Sequence, residues 1–455
     1  MREAGLGNSS AAGALRWLAL ALRPLAPRPL ARRFSLALLA LAAACGGPKP
    51  LAWESAPPGS PDLSKLACVA AQDPPPADFP RYLADLAALR VQRVRREVPW
   101  AWLERTRGTF DFGAWDGNTE ALGAAGLEQI VTLDYGNALY NGRTDGDDKY
   151  PAPPADFARY ASALVQRWKP WVTRWEIWNE PNAGFRFWKP AADAAAFAAT
   201  LDAAAAAVRD ACPACEVILG APVSIGYPGT GVPSGAAFVG QVAALSSSFD
   251  SAAAHLYTLY PPCSPPEGGP NRCGFFADAE TPFSAQASSL RAAAGRSGLH
   301  VTELGWPSWK SISGKGDVTE GAQAAWLLRG TLLAAAAGAV SACWYTWSDD
   351  ARSGGFPPEG DFGLVHRDGS HKPAFDAFAA LYAVPLRGFI RSRETELGLR
   401  AGEHALLFET AGGLVTWLWR EESAAPRTVQ VPLHSSGPAR SIALDPKPAA
   451  LTEPR

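Results

Sequence analysis

The sequence predicts a (β/α)8 barrel followed by a small β-rich domain. Eight β-prone segments alternate with helical periodicity across residues 62–383, and two of the predicted strands end on glutamates. Repeated βα units fold as a parallel sheet, and eight of them close into a cylinder with its chemistry at the C-terminal strand ends. From Val384 the texture changes to short apolar or alternating runs broken by Gly, Ser and Pro, which ends the barrel.

The expected strands are Leu66–Ala71, Arg93–Val98, Gln129–Asp134, Arg174–Trp178, Val217–Ala221, Ser251–Leu256, His300–Glu303 and Ser341–Trp347. Between them, Phe157, Ala161, Leu164, Val165 and Trp168 share one face of a helix that Pro170 stops. Phe197, Leu201, Ala204 and Val208 repeat that spacing in an alanine-rich helix whose small side chains suit close packing. The last barrel helix is expected over Lys372–Ala383. Residues 384–455 read as a partial sandwich with strands around Ala405–Phe408, Leu414–Trp419 and Thr428–Val431, a structural buttress without obvious chemistry.

The N-terminus carries an address. Arg28, Arg32 and Arg33 precede an apolar run, Phe34 to Ala44, that is too short to span a bilayer and meets Cys45. Residues 1–44 are expected to be an export signal. Leu41–Cys45 resembles the lipobox of bacterial lipoproteins, with Ala in place of the commoner Leu three residues before the cysteine. That resemblance implies lipidation of Cys45, a membrane partner reached through the lipid, and a tether over residues 45–61. Ala42-x-Ala44 also suits an ordinary signal peptidase, which would release a secreted or periplasmic protein.

Export makes disulfides plausible. Cys212 and Cys215 fall in a turn between helix and strand and suggest a small closed loop, and Cys263 and Cys273 bracket a Pro/Gly-rich loop. Cys68 and Cys343 lie on the first and last barrel strands, which become neighbours on closure; thiols and a bridge are both open.

A formal net charge of -2 without a basic block gives nucleic-acid binding no electrostatic support. The 17 Trp and 10 Tyr are a better guide, since aromatic rings stack on sugar faces as well as filling cores. The acidic loop Asp145–Asp148 lacks the spacing of a dedicated calcium site and reads as solvated.

Chemistry concentrates in two runs, Arg174–Asn182 and His300–Trp306, where strands end on Glu180 and Glu303. Retaining glycoside hydrolysis needs two carboxyl groups facing each other across the anomeric carbon, one acting as acid and base, the other as nucleophile. Glu180, between Trp178 and Pro181, is the acid candidate because apolar surroundings keep a carboxyl neutral. Glu303 is the nucleophile candidate, with Trp306 shaping the pocket beyond it. Neither role calls for a metal or an organic cofactor.

The order Arg95, Asn179-Glu180-Pro181, His255-Leu256-Tyr257, Glu303 and Trp347, each at a predicted strand end, resembles the clan A glycoside hydrolases. Val94–Trp100 and Gly108–Phe112 are most similar to family 39, with family 5 second, and the likeness spans residues 62–383. It implies that Asn179 bonds the sugar 2-hydroxyl, Tyr257 and Arg95 hold Glu303 and Trp347 lies under the sugar, while His255 is open between a subsite ligand and a wall residue. The residues themselves leave alternatives: a structural ion pair for Arg95, a satisfied wall histidine for His255, and Tyr260 and Trp344 as rivals of Tyr257 and Trp347. The third strand ends Asp134-Tyr135-Gly136-Asn137, without the histidine of some relatives, so sugar identity stays open.

The expectation is an exported retaining O-glycosidase acting on a β-linked oligo- or polysaccharide. A transglycosidase using the same covalent intermediate, or a carbohydrate-binding lipoprotein without turnover, are the alternatives. Sugar and linkage, endo or exo action and oligomeric state are not legible.

Overall fold

A computed structural model describes residues 52–224, 231–257, 283–296, 298–308, 318–350, 360–421, 424–434 and 438–454. The expected leader, Cys45, Cys263 and Cys273 lie outside the described residues.

Eight parallel strands close into a barrel in sequence order: β1 (Ala67–Ala70), β2 (Arg93–Pro99), β3 (Glu128–Asp134), β4 (Arg174–Ile177), β5 (Glu216–Leu219), β6 (Ser251–Leu256), β7 (Leu299–Leu304) and β8 (Ala339–Tyr345). The helices are α1 (Phe79–Ala88), α2 (Trp100–Leu103), α3 (Asp116–Ala124), α4 (Ala138–Asn141), α5 (Pro154–Trp168), α6 (Ala194–Ala211), α7 (Gly235–Leu245), α8 (Phe283–Ala294), α9 (Glu320–Ala336) and α10 (Pro373–Tyr382). The apolar stripes read from α5 and α6 are the faces that bury: Phe157, Leu164, Trp168, Phe197, Leu201 and Val208 are all inaccessible to solvent. Asp193 caps α6, its carboxylate accepting from the amides of Ala195 and Ala196.

Strand alternation fills the cylinder in layers. At its N-terminal end Glu128 accepts from Arg93 (2.7 Å) and pairs with Arg174 (3.1 Å), while Arg174 also reaches Glu216 (3.0 Å). His300 Nε2 lies 3.0 Å from Glu216, and Ser251 donates to the same carboxylate at 2.6 Å. Burial opposes the charge on Glu216, but His300, Ser251 and Arg174 hold its pKa down to about 2. Above this ring come two apolar clusters, Ile130–Ile218–Ala221–Ala253 and Cys68–Ala70–Cys343. The mouth above them is polar.

Closure is covalent as well as hydrogen-bonded. Cys68 pairs directly with Cys343 across the β1–β8 ladder, and the two form a buried disulfide. Cys212 and Cys215 form a second bridge in the turn from α6 to β5.

After α10 come a four-stranded antiparallel sheet, in the order β14 (Ala449–Pro454), β11 (Gly413–Arg420), β10 (Glu403–Thr410) and β9 (Leu386–Ser392), and a two-stranded ribbon of β12 (Arg427–Val431) with β13 (Arg440–Leu444). Alternation gives the sheet two apolar faces. Leu406, Phe408, Val415, Trp417 and Trp419 join the barrel core, whereas Ala405 and Leu418 pack with Val429, Val431 and Leu444 of the ribbon. Of these strands, β9, β13 and β14 escaped the sequence reading, being short and interrupted by charged residues.

The described part of the expected tether is not a free linker. Both Glu54 oxygens pair with Arg391 at 2.7 Å, His434 lies 3.0 Å from Glu54, and Ala56 N donates to Glu409 at 3.0 Å. Residues 52–61 are thus bonded to the C-terminal domain, because their one acid faces Arg391 and His434 there.

Candidate active site

Arg95 organises the C-terminal mouth. Its Nε donates to Glu176 at 3.0 Å, Nη1 to both Glu97 (2.8 Å) and Glu303 (2.6 Å), and Nη2 to Asn179 Oδ1 at 2.8 Å. Burial disfavours the guanidinium charge, but Glu176, Glu97 and Glu303 outweigh it and keep Arg95 charged. Glu176 is itself buried and saturated: Thr132 (2.7 Å), Thr302 (3.0 Å) and the amide of Ala221 (3.1 Å) complete its bonds. Burial alone would raise its pKa; Arg95 lowers it overall. The rigid Arg95–Glu176 pair is the floor on which the reactive groups stand.

Glu303 faces inward because of a bulge. Thr302 already points to the barrel axis, so strict alternation would send Glu303 outward. The β6–β7 ladder slips between Ala254 and His255, so that His255 pairs with Glu303 and Thr302 is the extra residue. Both neighbours therefore enter the barrel. Glu303 Oε1 accepts from Arg95, and Oε2 accepts from the Tyr257 hydroxyl at 2.6 Å. Burial first, then the negative Glu303, pushes the Tyr257 pKa well up, so its O–H remains a donor.

Glu180 is aimed by a bent strand end. Trp178 (φ 73°) and Glu180 (φ 47°) both adopt the left-handed conformation, which costs a residue with a side chain about 1–3 kcal/mol. Neighbouring strands hold the bend: Trp178 N donates to Leu133 O and Glu180 N to Ala221 O, both at 2.9 Å. A Cβ on Gly220 would lie 2.0 Å from Ile177 O and 2.4 Å from Trp178 O, so glycine is what lets β5 approach this turn. Gly305 serves the same purpose after Glu303, where a Cβ would meet Tyr345 O at 2.4 Å.

His255 stands between the two glutamates. Its Nδ1 is 2.8 Å from Glu180 Oε1 and its Nε2 is 3.5 Å from Glu303 Oε1. Burial lowers the imidazole pKa, but Glu303 and Glu180 overcome this and raise it above the ordinary value. One oxygen of Glu180, one of Glu303 and a ring nitrogen of His255 all lie within 4.8 Å of one another. Such a trio could hold a cation, but both Glu303 oxygens already accept bonds and the Arg95 guanidinium abuts them. Asn179 is fixed at both ends of its amide, Nδ2 donating to the Tyr135 hydroxyl at 2.9 Å.

The structure thus brings Glu180, Glu303, Asn179, Arg95, His255 and Tyr257 into one cluster, and it places three tryptophans elsewhere. Strand β8 ends at Tyr345, two residues before the expected end, and Trp347 turns outward to α1. Its Nε1 donates to Asp85 at 2.9 Å and its ring packs 5.0 Å from Tyr82. Trp306 is buried among Phe283, Trp326 and Trp344, against Gly330 of α9, and does not line the cleft. Trp178 packs outward on Phe157 and Trp188, so His255 rather than an apolar strand end is the immediate neighbour of Glu180.

The residue of β8 that faces the mouth is Tyr345. It is half-buried above the Cys68–Cys343 cluster, with its ring edge-on to Phe362 at 5.6 Å; Phe362 in turn meets Tyr257 at 5.9 Å. Sequence reasoning also missed Glu97, Glu176, Asp134 and Tyr135. The signal for Glu97 was available, since Arg93, Arg95 and Glu97 alternate onto one face of β2.

Solved structures with this fold include a family 39 glycoside hydrolase from the gut symbiont Bacteroides cellulosilyticus WH2, at 20% identity and TM-score 0.66, covering 88% of this chain and 82% of that one. The fold is that of the clan A glycoside hydrolases. A monomeric beta-xylosidase from Caulobacter crescentus CB15 is similar at 17% identity and TM-score 0.57, over 80% of this chain and 76% of the other. A glucosidase from Croceicoccus marinus follows at 16% identity and TM-score 0.54, over 88% and 85%. No protein-family model matches the chain, and no curated protein sequence matches it.

Proposed function

We propose that the protein is a retaining O-glycoside hydrolase that cleaves a β-linked oligo- or polysaccharide by double displacement. One observation carries the reading: carboxylate oxygens of Glu180 and Glu303 within 4.8 Å of each other at the C-terminal mouth of the barrel. Retaining enzymes hold their two carboxyl groups about 5–5.5 Å apart, and inverting ones leave several ångströms more for a water. The beta-xylosidases from Caulobacter crescentus among the similar structures support a β-glycoside as substrate.

Glu303 attacks the anomeric carbon. Arg95 and Tyr257 each bond one of its oxygens, which holds it correctly turned. Glu180, oriented by the 2.8 Å contact with His255, gives a proton to the departing oxygen. Glu180 then takes a proton from water, which releases the sugar from Glu303 with its configuration kept. Asn179, fixed by Arg95 and Tyr135, has an amide proton left for a sugar hydroxyl.

The test is a panel of aryl β-glycosides and polysaccharides with the anomer of the first product followed by proton NMR. Net retention, with turnover abolished in Glu303→Ala and restored by azide, is the expected result. Inversion, or a Glu303→Ala variant as active as the parent, refutes the reading. We also propose that the chain acts outside the cytoplasm, a reading that the two disulfides among the described residues support. A mature N-terminus found upstream of Cys45 by mass spectrometry would refute it.

A further inference from the structure

Glu97 takes no part in the proposed cleavage, yet its carboxylate stands beside the nucleophile. Arg95 Nη1 bonds Glu97 Oε1 at 2.8 Å and Glu303 Oε1 at 2.6 Å. The two oxygens are therefore no farther apart than those bonds laid end to end, roughly the breadth of one sugar ring. Arg95 and Glu97 alternate onto the same face of β2, with Glu97 nearer the mouth. Its side chain keeps 16% of its surface open, against 3% for Arg95. Arg95 fixes one oxygen, and the other has no hydrogen-bond partner among the described residues.

The wall behind Glu97 is unusual. The β2–β3 ladder sets Pro99 opposite Asp134, so the Asp134 carboxyl lies next to that of Glu97. Asp134 is completely buried and neither of its oxygens is hydrogen-bonded. Burial first, then the negative Glu97, pushes its pKa well above the carboxylate range. Asp134 is sealed behind the ladder, so Glu97 is the carboxyl of this wall that reaches the mouth. Lys149, 3.4 Å above the Tyr135 ring centre, closes the same side.

An anion clamped at one oxygen and open at the other is an acceptor for hydroxyl groups and repels a carboxylate. We propose that Glu97 selects the sugar in the cleaving subsite by accepting a hydrogen bond from one of its hydroxyls, so that neutral glycones are taken and uronates refused. This rests on the glycosidase reading. Glu97 and Asn179 hang from opposite nitrogens of the same guanidinium, so they meet different hydroxyls of one ring.

The experiment measures kcat/KM on an aryl glycoside that the enzyme cleaves, on its monodeoxy series and on its uronide, for the parent enzyme, Glu97→Gln and Glu303→Ala. In the parent, removing the hydroxyl that Glu97 meets lowers kcat/KM by about 10- to 100-fold, the usual span for a hydrogen bond to a charged group. Glu97→Gln loses a similar factor on the full sugar, treats that deoxy analogue and the full sugar nearly alike, and narrows the gap to the uronide. Undiminished sensitivity to every deoxy position in Glu97→Gln overturns the proposal while leaving the cleavage mechanism intact. Parent-like turnover in Glu303→Ala brings down the glycosidase reading itself, and the assignment of Glu97 with it. Glu97→Asp, which draws the carboxylate back by one methylene, gives the same readout if the glutamine variant does not fold.

Discussion

Nδ1 of His255 lies 2.8 Å from Oε1 of Glu180, and His255 has no exposed side-chain surface. A buried imidazole favours the neutral form, but two flanking glutamates raise its pKa above the ordinary value. A group whose pKa rises on folding stabilises the fold most below its unfolded pKa, and the gain vanishes as pH climbs through the folded value. Chemical denaturation of the parent and His255→Gln should therefore differ by about 1–3 kcal/mol near pH 6 and by less at pH 9. A gap that widens with pH contradicts this arrangement.

Tyr257 makes one hydrogen bond to Glu303 that phenylalanine cannot. Tyr257→Phe should fold with an unchanged melting temperature and lose about 10- to 100-fold in kcat, as for loss of one bond to a charged group. Steady-state kinetics on any cleaved aryl glycoside measures it. Full activity in the variant would show that Arg95 alone suffices to hold the nucleophile.

Tyr345 and Trp347 should separate function from stability. Tyr345→Ala removes a half-buried ring at the mouth and is expected to lower kcat/KM about tenfold or more with the fold retained. Trp347→Ala empties a site packed against Tyr82 and Asp85 and should cost about 3–5 kcal/mol of stability. Kinetics and thermal melts on both variants decide it; the reverse pattern would return Trp347 to the cleft.

The error over Trp347 shows where sequence reasoning stopped. All eight barrel strands were legible because β-prone stretches alternate with helical periodicity along the chain. Their ends were legible only to within about two residues, as boundaries usually are. A two-residue slip leaves the face of a strand unchanged but moves its tip, so Trp347 inherited the place of Tyr345. Glu180 and Glu303 could be placed at strand ends because Asn-Glu-Pro and Glu-Leu-Gly mark those ends themselves. The bulge that turns Glu303 inward is a register property between two strands, invisible in either one alone. Glu176 and Asp134 were unread for a similar reason: a buried carboxyl declares itself only through its neighbours, here Arg95 for the first and Glu97 for the second.

The Cys68–Cys343 bridge closes a loop of 275 residues. On the chain-entropy account, such a long loop makes its removal cost roughly 5 kcal/mol. The double variant Cys68→Ala/Cys343→Ala should unfold at clearly lower denaturant than the parent, and a reductant should weaken the parent far more than the double variant, which among the described residues keeps only the short Cys212–Cys215 loop to lose. Equal midpoints for the two proteins under oxidising conditions would deny the bridge any part in holding the barrel shut.

The four-stranded sheet has no solvent-facing side to spare. Trp417 and Trp419 belong to the same apolar core as the barrel helices, and Arg329 of α9 donates to the carbonyl of Pro446 at 2.9 Å. Cutting the chain after α10 would strip that shared lining and leave a greasy flank on the barrel. The appendage is accordingly no detachable module. Barrel and sheet should melt in one calorimetric peak, and evolution could shuffle this sheet onto another barrel only together with the tryptophans' hosts.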